Sequence, residues 1–511
     1  MRKPRLRIFF RHRISVTILL LLQVALFVLL IVEGGRAFSM TNQLLSIVSL
    51  LVVLHIVSEP NKGAYKIAWI LLVLLVPLFG GVLYLLVRGQ SVKGRFRKRL
   101  NETEQKAGKL AAIHSTGYDK IAARFPNQIT AVRYLQDHVG FPIYDQSQTK
   151  YLSPGEEKWK CLLEELEKAE RYIFLEYFII QDGVMWQSIL EILKRKAAAG
   201  VKVRVIYDDM GCFVLLPKDF VKQMTDCGIE CAVFNPFRPF LTTTQNNRDH
   251  RKNVSIDGKT AFTGGINLAD EYINAYEKHG HWKDASVMIR GKAAWGFTLM
   301  FLQMWELVTG KSEDYNEYDP WTDVPCTLAD DGWVQPYSDS PLDKETVGEQ
   351  VYLQMITGAK RYLYINTPYL IIDDSVLSAL CLAAKSGVDV RIVTPHIWDK
   401  RLVHMTTRSY YRDLIEGGVK IYEYTPGFIH SKTFVADDEV ATVGTVNLDF
   451  RSLYLHFECG VRMVGCRAVS ELKEDFLKTL DHCQPITASD CSDGLPMRLF
   501  QQILRLFAPL M

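Results

Sequence analysis

The sequence has no CxxC pair and no Cys/His spacing of the kind that encloses a zinc ion, although it carries ten cysteines: Cys161, Cys212, Cys227, Cys231, Cys326, Cys381, Cys459, Cys466, Cys483 and Cys491. Scattered in this way, they are expected to be reduced and mostly structural, and the close pair Cys227 and Cys231 reads as two half-buried thiols. A bias of charge is also missing. The formal net charge is +3 over 511 residues, and no broad basic stripe runs through the chain, which leaves no basis for a nucleic-acid partner. A clean signal-peptide cleavage site is absent after the first apolar run, Ile14 to Val32, and two further apolar runs follow it, at about Leu44 to Val57 and Ile67 to Val87. Finally, acidic residues are missing from residues 1–13 and again from Arg88 to Arg99, each of which carries six basic residues.

These basic stretches flank the apolar runs, and a bilayer core takes roughly 20 apolar residues per helix. The first and third runs are long enough to span. The second is short unless it starts near Ala37. Basic residues at both ends favour an even number of crossings, with one run interfacial or re-entrant; the third, interrupted by Pro77, Gly80 and Gly81, and the short second are the candidates. The expected location is a bacterial cell membrane, multi-pass, with the remainder of the chain on the cytoplasmic face. With 48% hydrophobic residues the chain can bury more than one core.

The remainder reads as an internal repeat. Ala169-Glu170-Arg171-Tyr172-Ile173-Phe174-Leu175 in one half matches Ala359-Lys360-Arg361-Tyr362-Leu363-Tyr364-Ile365 in the other. Each is an apolar strand followed by an acidic turn (Asp182-Gly183; Asp373-Asp374), a helical stretch stopped at Gly200 or Gly387, and a β-branched strand. This order predicts α/β halves with parallel sheets covered by helices. The expected organisation is a membrane anchor of two or three apolar helices over 1–90, a basic helical connector over 91–125, a first half over 126–310, a linker over 311–345, a second half over 346–490, and a C-terminal amphipathic helix over 491–511.

The chemistry sits at matched positions. His250-Arg251-Lys252-Asn253-Val254-Ser255-Ile256-Asp257 and His430-Ser431-Lys432-Thr433-Phe434-Val435-Ala436-Asp437 both read H-x-K-x4-D, and each histidine is followed 14 residues later by a glycine and 17 residues later by Asn267 or Asn447. On an extended chain residues two apart share a face, so each His/Lys pair is expected to project into one site. Asp257 and Asp437 fall where the strand ends, and are better suited to holding a turn or neighbouring loop than to reacting. One such octet would be an ordinary polar strand. Two in register imply a cationic pocket of two histidines, two lysines and two asparagines, with no metal ligand set, suited to a phosphodiester.

The doubled H-x-K-x4-D with G-G-x-N or G-T-x-N resembles the phospholipase D superfamily over about residues 130 to 485. That resemblance implies two tandem αβ domains with pseudo-twofold symmetry around one active site, covalent catalysis on histidine, and no metal or other cofactor. By the same analogy His250 is the nucleophile and His430 the general acid/base, with one ring starting neutral and the other charged. Lys252, Lys432, Asn267 and Asn447 are expected to hold the non-bridging oxygens. A catalytic histidine needs its second nitrogen oriented, and Glu458 is the candidate for His430 and Asp284 for His250.

The stretch Asn61 to Ile70 with Pro77-Leu78-Phe79-Gly80, the run Glu176-Tyr177-Phe178-Ile179-Ile180 and the block Gly264 to Tyr272 are similar to bacterial cardiolipin synthases. So is the ending, where Leu499, Ile503, Leu506 and Leu510 form an apolar stripe that suits either an interfacial helix or the core packing of a last helix. The reaction implied is phosphatidyl transfer between two phosphatidylglycerol molecules, giving cardiolipin and glycerol through a phosphohistidine. The partners are phosphatidylglycerol and membrane lipid, without nucleic acid, and a homo-oligomer is allowed. The alternatives are a membrane phospholipase D that releases phosphatidic acid, and a non-catalytic module that binds anionic lipid.

Overall fold

A computed structural model describes residues 36–59, 62–75, 80–81, 83–84, 94–237, 245–343, 345–491 and 494–510. The basic residues 1–13, the first apolar run, Pro77 and residues 88–93 of the second basic stretch lie outside the described residues. The chain divides into two compact units. One comprises residues 1–93, 237–247 and 502–511, and the other residues 94–236 and 248–501.

In the first unit the helix Arg36–Ser58 packs on the helix Gly63–Leu75 through Val52, Ile56, Trp69, Val73 and Tyr84. Trp69 and Tyr84 meet edge to face at 5.3 Å, the geometry that ring quadrupoles prefer. The second apolar run therefore belongs to a longer helix that begins at Arg36, while Ile47, Leu50, Leu51, Leu54 and Val57 on it remain exposed. Among the described residues no helix is long and apolar enough to cross a membrane.

The second unit holds both halves of the repeat. The strands of the first half are β1 (Ser147–Leu152), β2 (Tyr172–Tyr177), β3 (Lys202–Asp208), β4 (Glu230–Phe234), β5 (Arg248–Asp249), β6 (Lys252–Ile256), β7 (Thr260–Gly264), β8 (His281–Lys283) and β9 (Ser286–Gly291). Those of the second are β10 (Trp333–Asp339), β11 (Tyr362–Asn366), β12 (Asp389–Pro395), β13 (Lys420–Tyr424), β14 (Gly427–Ile429), β15 (Thr433–Ala436), β16 (Val440–Gly444), β17 (His456–Val464) and β18 (Cys483–Ile486). The sheets run β1-β9-β7-β6-β2-β3-β4 and β10-β17-β16-β15-β11-β12-β13-β18.

Every residue of β2 and β11 is buried, as a strand covered on both faces requires. One apolar cluster takes Ala261, Val287 and Ile289 from the first half and Val443, Val461 and Met463 from the second, together with Phe297 and Met300 of the almost wholly buried helix Ala294–Thr309. The two sheets thus share a core, which fixes one half against the other.

The sheets are not parallel throughout, as the strand, helix, strand order predicted. Along the two strand orders just given, β2-β3-β4 and β11-β12-β13 pair in parallel, whereas β6, β7, β9 and β1, like β15, β16, β17 and β10, pair antiparallel with one another, as do β18 with β13, β6 with β2 and β15 with β11. The reason is local. Asp257 and Gly258 take φ of 53° and 68°, and Asp437 and Asp438 take 59° and 63°. Two successive left-handed residues fold the chain back on itself, so the strand after each H-x-K returns beside it.

Candidate active site

Each histidine lies just before its strand, not within it, and its lysine is at or beside the first ladder position. The lead-ins are held by the opposite half. β5 pairs in parallel with the start of β17, Arg248 opposite His456, and the His250 amide then donates to Phe457 O at 2.9 Å. In the mirrored arrangement β14 pairs with β8, Phe428 opposite Trp282, and the His430 amide donates to Lys283 O at 2.7 Å. Each reactive ring is therefore placed by a strand that belongs to the other repeat.

This exchange corrects the expected orienting pairs. Glu458 does not serve His430: its two oxygens lie 2.9 and 3.0 Å from Nδ1 of His250. Asp284 does not serve His250: its Oδ2 lies 2.6 Å from Nδ1 of His430. The physical cause is the exchanged pairing, because Glu458 follows the strand segment that receives the His250 lead-in, and Asp284 follows the one that receives the His430 lead-in. Both carboxylates are fully buried, and the imidazoles beside them hold both below the usual carboxylate range despite burial. Their charge fixes Nδ1–H as donor, leaving each Nε2 to react.

The glycines of the G-x-x-N segments make room for this. A Cβ at Gly265 would fall 2.1 Å from Asp284 Oδ1. At the matched place Thr445 instead donates its hydroxyl to Glu458 Oε2. Of the asparagines, Asn267 accepts from Ile179 N at 3.1 Å and donates to Tyr272 Oη at 2.6 Å, so its amide braces a loop and keeps one N–H for a ligand. Asn447 is 5% exposed, and its Oδ1 has no partner among the described residues.

Lys252 Nζ donates to His250 O at 2.6 Å; Lys432 Nζ donates to His430 O and lies 3.0 Å from His430 Nε2. Asp257 and Asp437 stand apart from this group. Asp257 accepts the amides of Glu170, Arg171 and Tyr172, each at 2.8 Å, and Asp437 accepts those of Lys360 at 2.7 Å, Arg361 at 2.7 Å and Tyr362 at 3.0 Å. Each thereby anchors the start of the central strand of its own half.

Burial, partly offset by Glu458, pushes His250 down to about 3; burial and the Lys432 charge push His430 down to about 4. Burial likewise lowers Lys252 to about 8 and Lys432 to about 7, and each lysine is affected by the charges of Glu458 and Asp284. Burial thus favours the neutral form of both imidazoles, where the sequence suggested one ring neutral and its partner charged. A phosphodiester among these groups would favour protonation of the rings around it.

His250, His456 and Glu458 offer nitrogen and oxygen atoms within 4.8 Å of one another. Ligands around a tetrahedral ion at ~2.0 Å stand about 3.3 Å apart, so this spread suits a hydrogen-bonded group better than a closed coordination shell. What the arrangement can do chemically is place a neutral Nε2 on a phosphorus and surround its oxygens with ammonium groups, with the field of two fixed carboxylates behind the rings.

Comparison with known proteins bears on this geometry. The family described as "Cardiolipin synthase, PLD-like domain" matches residues 162–288 and 352–480, and the phospholipase D-nuclease N-terminal family matches residues 44–89. The chain is 35% identical to a cardiolipin synthase of Geobacillus thermodenitrificans, over 94% of this chain and 95% of that one, and 32% identical to a cardiolipin synthase of Halalkalibacterium halodurans, over 98% and 100%. Among solved structures it is similar in fold to a phosphatidylserine synthase of Haemophilus influenzae, with a TM-score of 0.54 at 16% identity, covering 71% of this chain and 93% of that one.

Proposed function

The chain belongs to the phospholipase D-like cardiolipin synthases, and from that premise we propose that the His250/His430 cage transfers a phosphatidyl group from one phosphatidylglycerol to the terminal hydroxyl of another. The observation that carries this reading is the pair of buried imidazoles, each held by a carboxylate of the opposite half. Nε2 of His250 attacks phosphorus and forms the P–N bond. The P–O bond to glycerol breaks, and the glycerol oxygen takes the proton that His430 gained when the anionic lipid entered. His430, neutral again, removes the proton of the incoming lipid hydroxyl, whose oxygen displaces His250 and gives cardiolipin. Lys252, Lys432, Asn447 and the remaining N–H of Asn267 hold the non-bridging oxygens while charge concentrates on them.

The chain works at a membrane in this reading. Its substrates are diacyl lipids, and the exposed apolar side chains of the helix Arg36–Ser58 suit a lipid environment. The test supplies purified full-length protein with phosphatidylglycerol as sole lipid and measures cardiolipin, free glycerol and phosphatidic acid. Cardiolipin with an equal amount of glycerol, lost in His250→Ala and His430→Ala, is the expected result. Phosphatidic acid in its place would overturn transfer in favour of hydrolysis, and no product from the wild-type protein would leave only lipid binding.

A further inference from the structure

The two catalytic rings have different neighbours. His430 is surrounded by Tyr272, Trp282 and Phe428, with ring centroids 5.5, 5.3 and 5.9 Å away. His250 has Phe178 at 5.0 Å on one side and a second imidazole, His456, at 5.5 Å on the other. By strand register His456 and Trp282 hold matched places, each two residues before the carboxylate that orients a catalytic histidine. Only one half has an ionisable group there.

His456 is almost as buried as the rings it serves, with an 11% exposed side chain. Its Nδ1 has no hydrogen-bond partner among the described residues, yet faces Glu458 Oε1 at 3.8 Å, the same oxygen that lies 2.9 Å from His250 Nδ1. One carboxylate oxygen thus lies between two imidazole nitrogens. We propose that His456 is a positioning residue for the His250 step: it shares Glu458 with His250, and when protonated it both draws on that carboxylate and sets a positive charge beside His250, which keeps His250 unprotonated and able to attack.

The other charges around this group do not supply the same control. Arg248, opposite His456 on β5, lies 3.3 Å from the buried Asp208. Arg251 is 3.6 Å from Glu176 and 3.7 Å from Asp249. Lys252 points to the His250 carbonyl, Thr445 bonds the far oxygen of Glu458, and Arg451 on the neighbouring helix Phe450–Tyr454 is held within the Asp449 and Arg248 charges. His456 is the imidazole among these that lies in reach of the oxygen that orients His250. The field of His456 also disfavours the protonated form of His250, in line with the geometry.

This inference rests on the phosphatidyl-transfer reading, and the experiment separates the two. Transfer by the full-length enzyme is followed from about pH 4 to 9 for wild type, His456→Asn, which keeps an N–H donor but cannot charge, and His456→Phe, which keeps a ring but no donor. Loss of the His456 charge is expected to move the acid limb of kcat to higher pH by about half a unit or more, with KM for phosphatidylglycerol little changed. His456→Phe should in addition lower the plateau. Profiles of the same shape as wild type, scaled or not, would overturn the proposal and leave His456 a packing residue. If His456→Phe fails to fold, as melting would show, His456→Asn decides alone; if wild type makes no cardiolipin, the transfer reading itself has failed.

Discussion

His250 and His430 occupy the same position in two copies of one motif, but the first has charged neighbours along the chain and the second neutral ones. His250 is flanked by buried Asp249 and Arg251, and Arg251 lies 3.6 Å from Glu176, which is fully buried on β2. His430 is flanked by Ile429 and Ser431. The residue that matches Glu176, three rungs from the histidine in both ladders, is Asn366. Thr445 supports Glu458 where Gly265 merely clears space for Asp284, and His456 stands where the other half has Trp282. The difference teaches that the repeat supplies two equivalent reactive groups, and that their surroundings, which the motif does not specify, give them separate tasks.

The largest effects are expected from the histidines, and they break the symmetry most sharply. His250→Ala and His430→Ala should each abolish cardiolipin formation. With a phosphatidyl ester of p-nitrophenol, whose leaving group needs no proton, His430→Ala should still release one equivalent of nitrophenol in a burst and hold phosphate on His250, whereas His250→Ala should release none. A burst from His250→Ala alone would reverse the assignment. Next come the lysines: Lys252→Met and Lys432→Met should each lower kcat by about 10²- to 10³-fold, because each removes an ammonium that meets charge developing in the transition state. An effect confined to KM would place them in ground-state binding instead.

The buried charges distinguish the halves by stability. Glu176→Leu removes a partner of Arg251 in a buried network and should cost about 3 kcal/mol, while Asn366→Leu removes a neutral amide and should cost about 1 kcal/mol. Denaturant melts of the two variants check this, and equal losses would contradict it. The smallest expected signal is a proton count. With His250 lowered to about 3 and His430 to about 4, both rings favour the neutral form at pH 7.5, and Lys432 at about 7 partly so. An anion raises these values, so binding of inorganic phosphate should take up protons and weaken as pH rises. Calorimetry in two buffers of different ionisation enthalpy measures the uptake; proton release would contradict the account.

Much of this was legible in the sequence, because H-x-K and the residues that follow it are local patterns with local causes. The α/β character and the twofold repeat follow from strand periodicity and from the matched glycine stops. The antiparallel part of each sheet was not legible from strand order, since the positive φ at Asp257 and Asp437 comes with a turn that either residue could also have avoided. The pairing of the carboxylates was hidden for another reason. His281-Trp282-Lys283-Asp284 and Leu455-His456-Phe457-Glu458 stand at matched places, and a twofold arrangement satisfies the histidines equally well from their own half or from the other. Only the exchanged pairings β5 with β17 and β14 with β8 decide it, and β5, β8 and β14, of two or three residues each, leave no periodicity to read. His456 was missed because it lies on a strand where an imidazole is ordinarily a satisfied polar residue.

The central claim is that each half orients the other half's histidine, and a double-mutant cycle on folding stability tests it most directly. From denaturant melts of Glu458→Gln, Asp284→Asn, the two histidine-to-asparagine variants and their pairwise combinations, the account predicts that Glu458 couples strongly to His250 and Asp284 to His430, with the second substitution of each pair costing little once the first is made. Additive losses within those pairs, with strong coupling of Glu458 to His430 and of Asp284 to His250, would contradict it.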